Sequence, residues 1–220
     1  MASPSAGHVF KQPASVWAIT FATAVSFVGI GLVSPILPTI AEQLDASAFQ
    51  SMLLFTSYLF VTAATMFFAG FISTRIGIKA TLVTGLVIII LFASLAGLSD
   101  TVGQIIGLRA GWGFGNALFV TMALAGIVGA ANGASTAAII LYEAALGMGM
   151  ALGPLVGGSL GTISWRAPFL GTALLMAVAA TTITVFVKPL PKPRRSTDIC
   201  WVSGPSPPTF LALVSSLALF

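Results

Sequence analysis

Apolar residues in this chain run in long unbroken blocks, and the polar residues gather between them. A helix needs roughly 20 mostly apolar residues to cross a bilayer. Six blocks reach that length, at 16–40, 51–73, 80–98, 103–128, 137–162 and 167–187. Apolar and polar positions do not alternate, which excludes the strands of a transmembrane barrel. The pattern predicts an all-α polytopic membrane protein with six transmembrane helices. Its connections are short, so consecutive helices are expected to pack as antiparallel neighbours. Residues 1–15 precede the bundle, 16–187 form it, and 188–220 follow it.

The basic residues orient the spans. Lys11, Arg75, Lys79, Lys188, Lys192, Arg194 and Arg195 fall on one side, whereas Arg166 lies on the other with Glu42, Asp45 and Asp100. Positive loops stay in the cytoplasm. Both termini are therefore expected there, which six spans permit. The tail after 188 is rich in Pro, Ser and Arg and reads as a cytoplasmic linker. It then turns apolar from Phe210 to Phe220, a stretch too short to cross alone. An ending inside an apolar run reads as a cut chain. A frameshift near residue 196 is one form of that reading, with six more spans encoded downstream in another frame.

Composition sharpens the class. The chain has 220 residues, 57% hydrophobic and 6% charged, against about 25% charged in soluble domains. The net charge of +4 is accounted for by loop asymmetry and implies no nucleic-acid partner. One cysteine, Cys200, and one histidine, His8, lie outside the spans. No catalytic dyad, zinc site or disulfide can form within the spans from such a set, so an enzyme is not expected, nor a metal or cofactor. A channel would need a ring of charge or a filter loop, and neither is legible.

Three stretches carry candidate chemistry. Between spans two and three stands Gly70-Phe-Ile-Ser-Thr-Arg75-Ile-Gly77-Ile-Lys79. It reads either as a tight positive-inside turn or as a gating loop. In span four, Gly103, Gly107, Gly111 and Gly115 recur every four residues as one close-packing stripe. Arg109 and Asn116 share another face of that span. An arginine inside a span costs about 2.5–3.5 kcal/mol. It must therefore face a polar cavity, or snorkel from about two turns inside the span end. In span five, five glycines and a proline fall between Gly147 and Gly158. Ala145, Gly149, Gly153 and Gly157 form a small-residue stripe, and Gly153-Pro154 predicts a bend. Glu143 is the one acid within any span. Burial would raise its pKa toward neutrality and suit it to proton coupling or cation recognition; a structural carboxylate at the span end is the other reading.

These stretches resemble motifs of the major facilitator superfamily. Gly70, Arg75, Gly77 and Lys79 match the loop Gly-x-x-x-Asp-Arg-x-Gly-Arg-Lys, with Thr74 in place of the Asp and Ile78 in place of a basic residue. In the family that loop helps hold the cytoplasmic side shut. Arg109 and Gly113 match a span-four motif associated with proton transfer. Gly149, Gly153, Pro154, Gly157 and Gly158 match the exporter motif Gly-x-x-x-Gly-Pro-x-x-Gly-Gly, which importers usually lack. Ser164-Trp165-Arg166-Ala-Pro168-Phe169 is similar to an outer loop of the same exporters, and also suits an interfacial anchor. Span one lacks the acid that many proton-coupled exporters carry there.

The resemblance implies half of a major facilitator fold: the N-terminal six spans of a drug:proton antiporter of bacterial multidrug or siderophore (bacillibactin-type) kind. It implies a plasma-membrane location, protons and a small amphiphile as partners, and a second six-span half or a homodimer to complete the carrier. A non-transporting truncated half, or a modulator pairing with a full carrier, is the alternative. The internal three-helix repeat of such halves is not visible in the sequence.

Overall fold

A computed structural model describes residues 12–131 and 135–188. The expectations placed on Lys11, on the tail after 188 and on its apolar end lie outside those residues. Among the described residues seven helices make six spans. Span one is divided into α1 (Ala14–Gly31) and α2 (Val33–Gln43). The others are α3 (Ala48–Ile76), α4 (Ile78–Gly97), α5 (Val102–Ala130), α6 (Ser135–Gly161) and α7 (Ala167–Phe186). All six spans are long and apolar enough to cross a membrane, and the chain is an integral membrane protein.

The break in span one has a local cause. Pro35 has no N–H to offer the carbonyl of Gly31, and Pro38 repeats the defect one turn later. The ladder lapses at the Gly31 carbonyl, although Leu32 stays helical at φ −69°, ψ −18° and still donates to the Val28 carbonyl at 3.0 Å. The bend expected at Pro154 takes a milder form, since α6 runs unbroken through it. The α3 start is specified by a capping box. The Ser47 hydroxyl accepts from the Gln50 N–H at 3.2 Å, and the Gln50 side chain accepts from the Ser47 N–H at 2.9 Å.

The packing differs from the expectation that neighbours in sequence are neighbours in space. The extensive contacts join α1 with α6, α3 with α5, α4 with α5, and α4 with α7, whereas α3 and α4 barely touch along their lengths. The reason is where backbones can meet. A Cβ built on Gly85 of α4 would stand 2.7 Å from the Gly115 carbonyl oxygen, and one on Gly115 would stand 2.8 Å from the Gly85 oxygen. A Cβ on Gly113, next along α5, would meet the Tyr58 carbonyl oxygen of α3 at 2.6 Å. Close approach, not connection length, chooses partners.

Exchanging span one with four, two with five and three with six maps each of these contacts onto another contact of the bundle, the extensive α4–α5 contact onto a lesser one between α1 and α7. The span one–span five contact becomes the span two–span four contact, and span three–span six maps onto itself. That is the relation expected of inverted three-helix repeats. Span four is the hub: 56% of the apolar 18-residue stretch of α5 is buried, against 28% of the matching stretches of α3 and α6.

The α5 glycine stripe is not uniform. Gly111 lies under the Phe92 ring and Gly115 lies on Gly85, but nothing approaches Gly103 or Gly107. Those two line a groove of about 490 Å³ between α4 and α5, with Phe92, Leu95 and Leu108. Gly85→Ala and Gly115→Ala are each expected to destabilise the bundle by about 1–3 kcal/mol through overpacking. Gly103→Ala and Gly107→Ala should leave thermal unfolding in detergent, followed by circular dichroism, unchanged.

Candidate functional site

A polar cluster lies in the interior of the bundle where α5 faces α1 and α3. Arg109 is fully buried, and its Nε donates to the Leu54 carbonyl at 3.1 Å. Its guanidinium lies 4.9 Å from the Tyr58 ring centre and 5.0 Å from that of Trp112. Snorkelling is therefore not what Arg109 does. It turns inward and is clamped between two aromatic faces. Each such contact contributes about 2 kcal/mol when desolvated, and a hydrogen bond from a charged group about 1.5–3 kcal/mol. Together they offset an insertion cost of about 2.5–3.5 kcal/mol. Among the described residues no acid pairs with it.

Two turns along α5, Asn116 is also buried. The Ser26 hydroxyl of α1 donates to Asn116 Oδ1 at 2.6 Å. Thr62 of α3 donates to its own Tyr58 carbonyl at 2.7 Å and to the Gly113 carbonyl at 3.2 Å. The cluster thus ties spans one, two and four together. Sequence reasoning found Arg109 and Asn116 but missed Tyr58, Ser26, Thr62 and Trp112. Two signals were available: Trp112 follows Arg109 at helical i, i+3 spacing, and Tyr58 is one of only two tyrosines in the chain.

An edge-to-face chain of rings runs from this cluster to the Asp100 end of the bundle. Trp112 meets Phe169 at 6.2 Å, and Phe169 meets Trp165 at 6.3 Å. Arg166 covers Trp165 at 5.1 Å and pairs with Asp100 at 2.6 Å. The pair is exposed and contributes about 0.2–1 kcal/mol. Its geometric effect is larger, because it joins the α4–α5 and α6–α7 connections beside the Ser99 carbonyl, which Arg166 also reaches at 3.3 Å.

The small-residue stripe of α6 is the seam against span one. Ala145, Gly149, Gly153 and Gly157 are all buried. A Cβ on Gly149 would stand 2.5 Å from the Ala24 carbonyl oxygen, and one on Gly153 would stand 2.7 Å from the Gly31 Cα. One on Gly157 would fall on the Leu32 carbonyl oxygen, at the break itself. Gly158 and Pro154 lie off the seam. Nothing approaches Gly158, and Pro154 is exposed apart from its edge toward Gly31.

The segment between spans two and three is barely a loop. Gly70 and Arg75 are inside α3 and Lys79 is inside α4, leaving Gly77 alone between the helices. Gly77 adopts φ 91°, ψ 160°, a conformation essentially reserved for glycine. Lys79 Nζ donates to the Thr184 carbonyl at 2.9 Å, capping the end of α7. Arg75 lies over the Phe71 ring at 5.2 Å. Thr74, where the family motif has Asp, bonds back to the Phe71 carbonyl at 2.7 Å. Nothing approaches Gly70.

Glu143 departs from the burial expected of it. It lies on the exposed face of α6 and does not join Arg109 and Asn116. The seam dictates this: with Ala145 and Gly149 turned toward α1, position 143 points away from the bundle.

Comparison with known proteins is decisive at this point, because the Major Facilitator Superfamily model matches residues 19–217. The chain belongs to that superfamily. It is 56% identical over 191 residues to the multidrug efflux protein YfmO of Bacillus subtilis (strain 168), covering 87% of this chain and 48% of the relative. It is 32% identical over 183 residues to an uncharacterized MFS-type transporter of Mycobacterium tuberculosis (strain ATCC 25618 / H37Rv), covering 80% and 26%. It is 30% identical over 164 residues to the class C tetracycline resistance protein of Escherichia coli, covering 67% and 38%. The chain thus spans about half the length, or less, of these superfamily members.

The seam separates the exporter motif into two kinds of glycine. Gly157→Ala is expected to push α6 off span one and cost about 1–3 kcal/mol, lowering the thermal midpoint in detergent. Gly158→Ala should leave that midpoint in place.

Proposed function

We propose that this chain is one six-span half of a secondary transporter that exports small amphiphilic molecules, drug-like or siderophore-like, against a flow of protons. The observation that carries the reading is the α1–α6 seam. Three of the five residues that match the exporter motif, Gly149, Gly153 and Gly157, bring their backbones onto span one, and Gly157 touches it at the Leu32 break. A small shift along the seam therefore changes the angle between α1 and α2, the kind of movement alternating access needs. Relatives named for multidrug efflux and for tetracycline resistance support the export direction.

In this reading both termini are cytoplasmic and the membrane is the bacterial plasma membrane. The Gly70–Lys79 segment then sits at the cytoplasmic end, where Lys79 holds α4 to α7 and Arg75 faces the rim. Arg109 and Asn116 supply the buried polarity that responds to protonation. Glu143, on the uncovered face of α6, meets the substrate or the proton at the boundary with a second half. The sparsely buried α3 and α6 receive that half. Exposed Phe60, Phe67 and Phe68 on α3 and Met148 and Leu155 on α6 give it an adaptable apolar surface. Because the chain covers 48% of a full-length relative, a half that binds and modulates a complete carrier without transporting is the second reading.

Purified chain would be reconstituted in liposomes alone and with the separately produced second half of the B. subtilis relative. Ethidium movement would be followed under an imposed pH gradient. Movement that requires the second half and collapses with a protonophore is the expected result. Movement by the chain alone would identify a homodimeric carrier. Absence of movement in every combination would favour the modulator. Within the active combination, Glu143→Gln is expected to lower pH-driven export about tenfold, about 1.4 kcal/mol in the barrier. An unchanged rate would remove Glu143 from coupling.

A further inference from the structure

Polar atoms buried without partners are uncommon in a folded protein, and each needs a physical explanation. Four fall together in the Arg109 cluster: Nη1 and Nη2 of Arg109, the Trp112 Nε1 and the Tyr58 hydroxyl. The Tyr58 hydroxyl lies near Thr62 and Asn116 without reaching hydrogen-bond geometry with either. The four share a chemical bias. The guanidinium and the indole donate only, and the phenol donates as readily as it accepts. The two rings cover the guanidinium and its Nε donates to the Leu54 carbonyl, but its two outer nitrogens have no acceptor.

No carboxylate is in position to complete the set. The acids among the described residues are Glu42, Asp45, Asp100 and Glu143. All four are exposed, and Asp100 is engaged with Arg166. A water molecule could satisfy single donors, but it would bring no negative charge to the two outer nitrogens of the guanidinium. An acceptor that is itself negative satisfies both requirements at once.

We propose that Arg109, Tyr58 and Trp112 form a buried binding site for one small monovalent anionic group, a halide or a carboxylate. The ring clamp fixes the guanidinium plane, so its two outer nitrogens are presented together to a single acceptor. Trp112 and Tyr58 cover the guanidinium faces and bring two further unpaired donors into the same cluster. The site is closed by the same rings, so an anion reaches it only when α3 and α5 part. Occupancy would therefore be coupled to helix movement. The group has two possible sources. A free halide would act as a structural counter-ion. A carboxylate would come from a transported molecule, and only that source depends on the exporter reading above.

The test uses the purified chain in detergent at matched ionic strength, with gluconate as the bulky reference anion. Thermal unfolding would be followed while gluconate is exchanged for chloride or for acetate. A ligand that binds only the folded state raises the midpoint saturably. A response to chloride alone assigns a free halide; a response to acetate alone assigns a carboxylate group; a response to both assigns the shared anion chemistry. Tyr58→Phe and Trp112→Phe keep an aromatic ring and remove a donor. Each is expected to weaken the apparent affinity about tenfold, the loss of one charge-assisted hydrogen bond. Arg166→Gln, which removes a cation elsewhere, should leave the response unchanged. Identical midpoints in all three anions would overturn the site, as would an undiminished response in both ring variants. Anion binding in a chain that moves no dye would retain the site and discard only the transported carboxylate.

Discussion

Helices surrounded by lipid gain little by exchanging acyl chains for the apolar side chains of a neighbour. What distinguishes one helix partner from another is how near the backbones come, and here that is set by glycine. Gly85 and Gly115 bring α4 onto α5, Gly113 brings α5 onto the Tyr58 carbonyl of α3, and Gly149, Gly153 and Gly157 bring α6 onto span one. Dispersion between closely apposed backbones grows steeply as the gap closes, and an added methyl at any of these positions would hold the helices apart. The pairing pattern, the inverted repeat it reveals and the uncovered faces of α3 and α6 all follow from those few contacts.

The same contacts create the polar interior. Because Gly113 admits α3 so closely, Tyr58 and Leu54 of α3 are delivered to Arg109, and Thr62 bridges to α5. Ser26 reaches Asn116 because α1 also packs against α5. A charged side chain becomes tolerable in a span only where such a surround exists. The aromatic path from Trp112 through Phe169 and Trp165 to Arg166 then links the interior to the connections at one end of the bundle.

The two interruptions in helical order fall at functionally suggestive places. The Leu32 break lies on the α6 seam, and Gly77 stands alone between α3 and α4. Proline causes the first by withholding a donor, and the second exists because only glycine adopts the backbone found there. Both are points where rigid spans can change direction without loss of packing elsewhere. Lys79, capping α7 from the start of α4, limits that freedom at one of them.

The number of spans was legible because burying a polar backbone in lipid demands a helix, and a helix must be apolar along its whole length. Superfamily membership was legible too, since its motifs are local strings. The α6 stripe could be read as a packing face from its spacing of four. Other features of the site could not be read this way. Repeat symmetry resides in which helices touch, and touching depends on backbone separation between residues such as Ser26 and Asn116, 90 positions apart. One reading of Glu143 put it inside because it is an acid in an apolar run, and the other made it a structural carboxylate at the span end. Only the rotation of α6, imposed by its seam, turns it outward. Arg109 presents the converse case. Its position in a span announced a cost, but the three groups that meet that cost come from α3 and from the next turn of α5. Hydropathy is a property of each segment by itself, so sequence alone determined the spans. Neighbours and solvation of charge are properties of pairs of segments, so tertiary structure alone decided them.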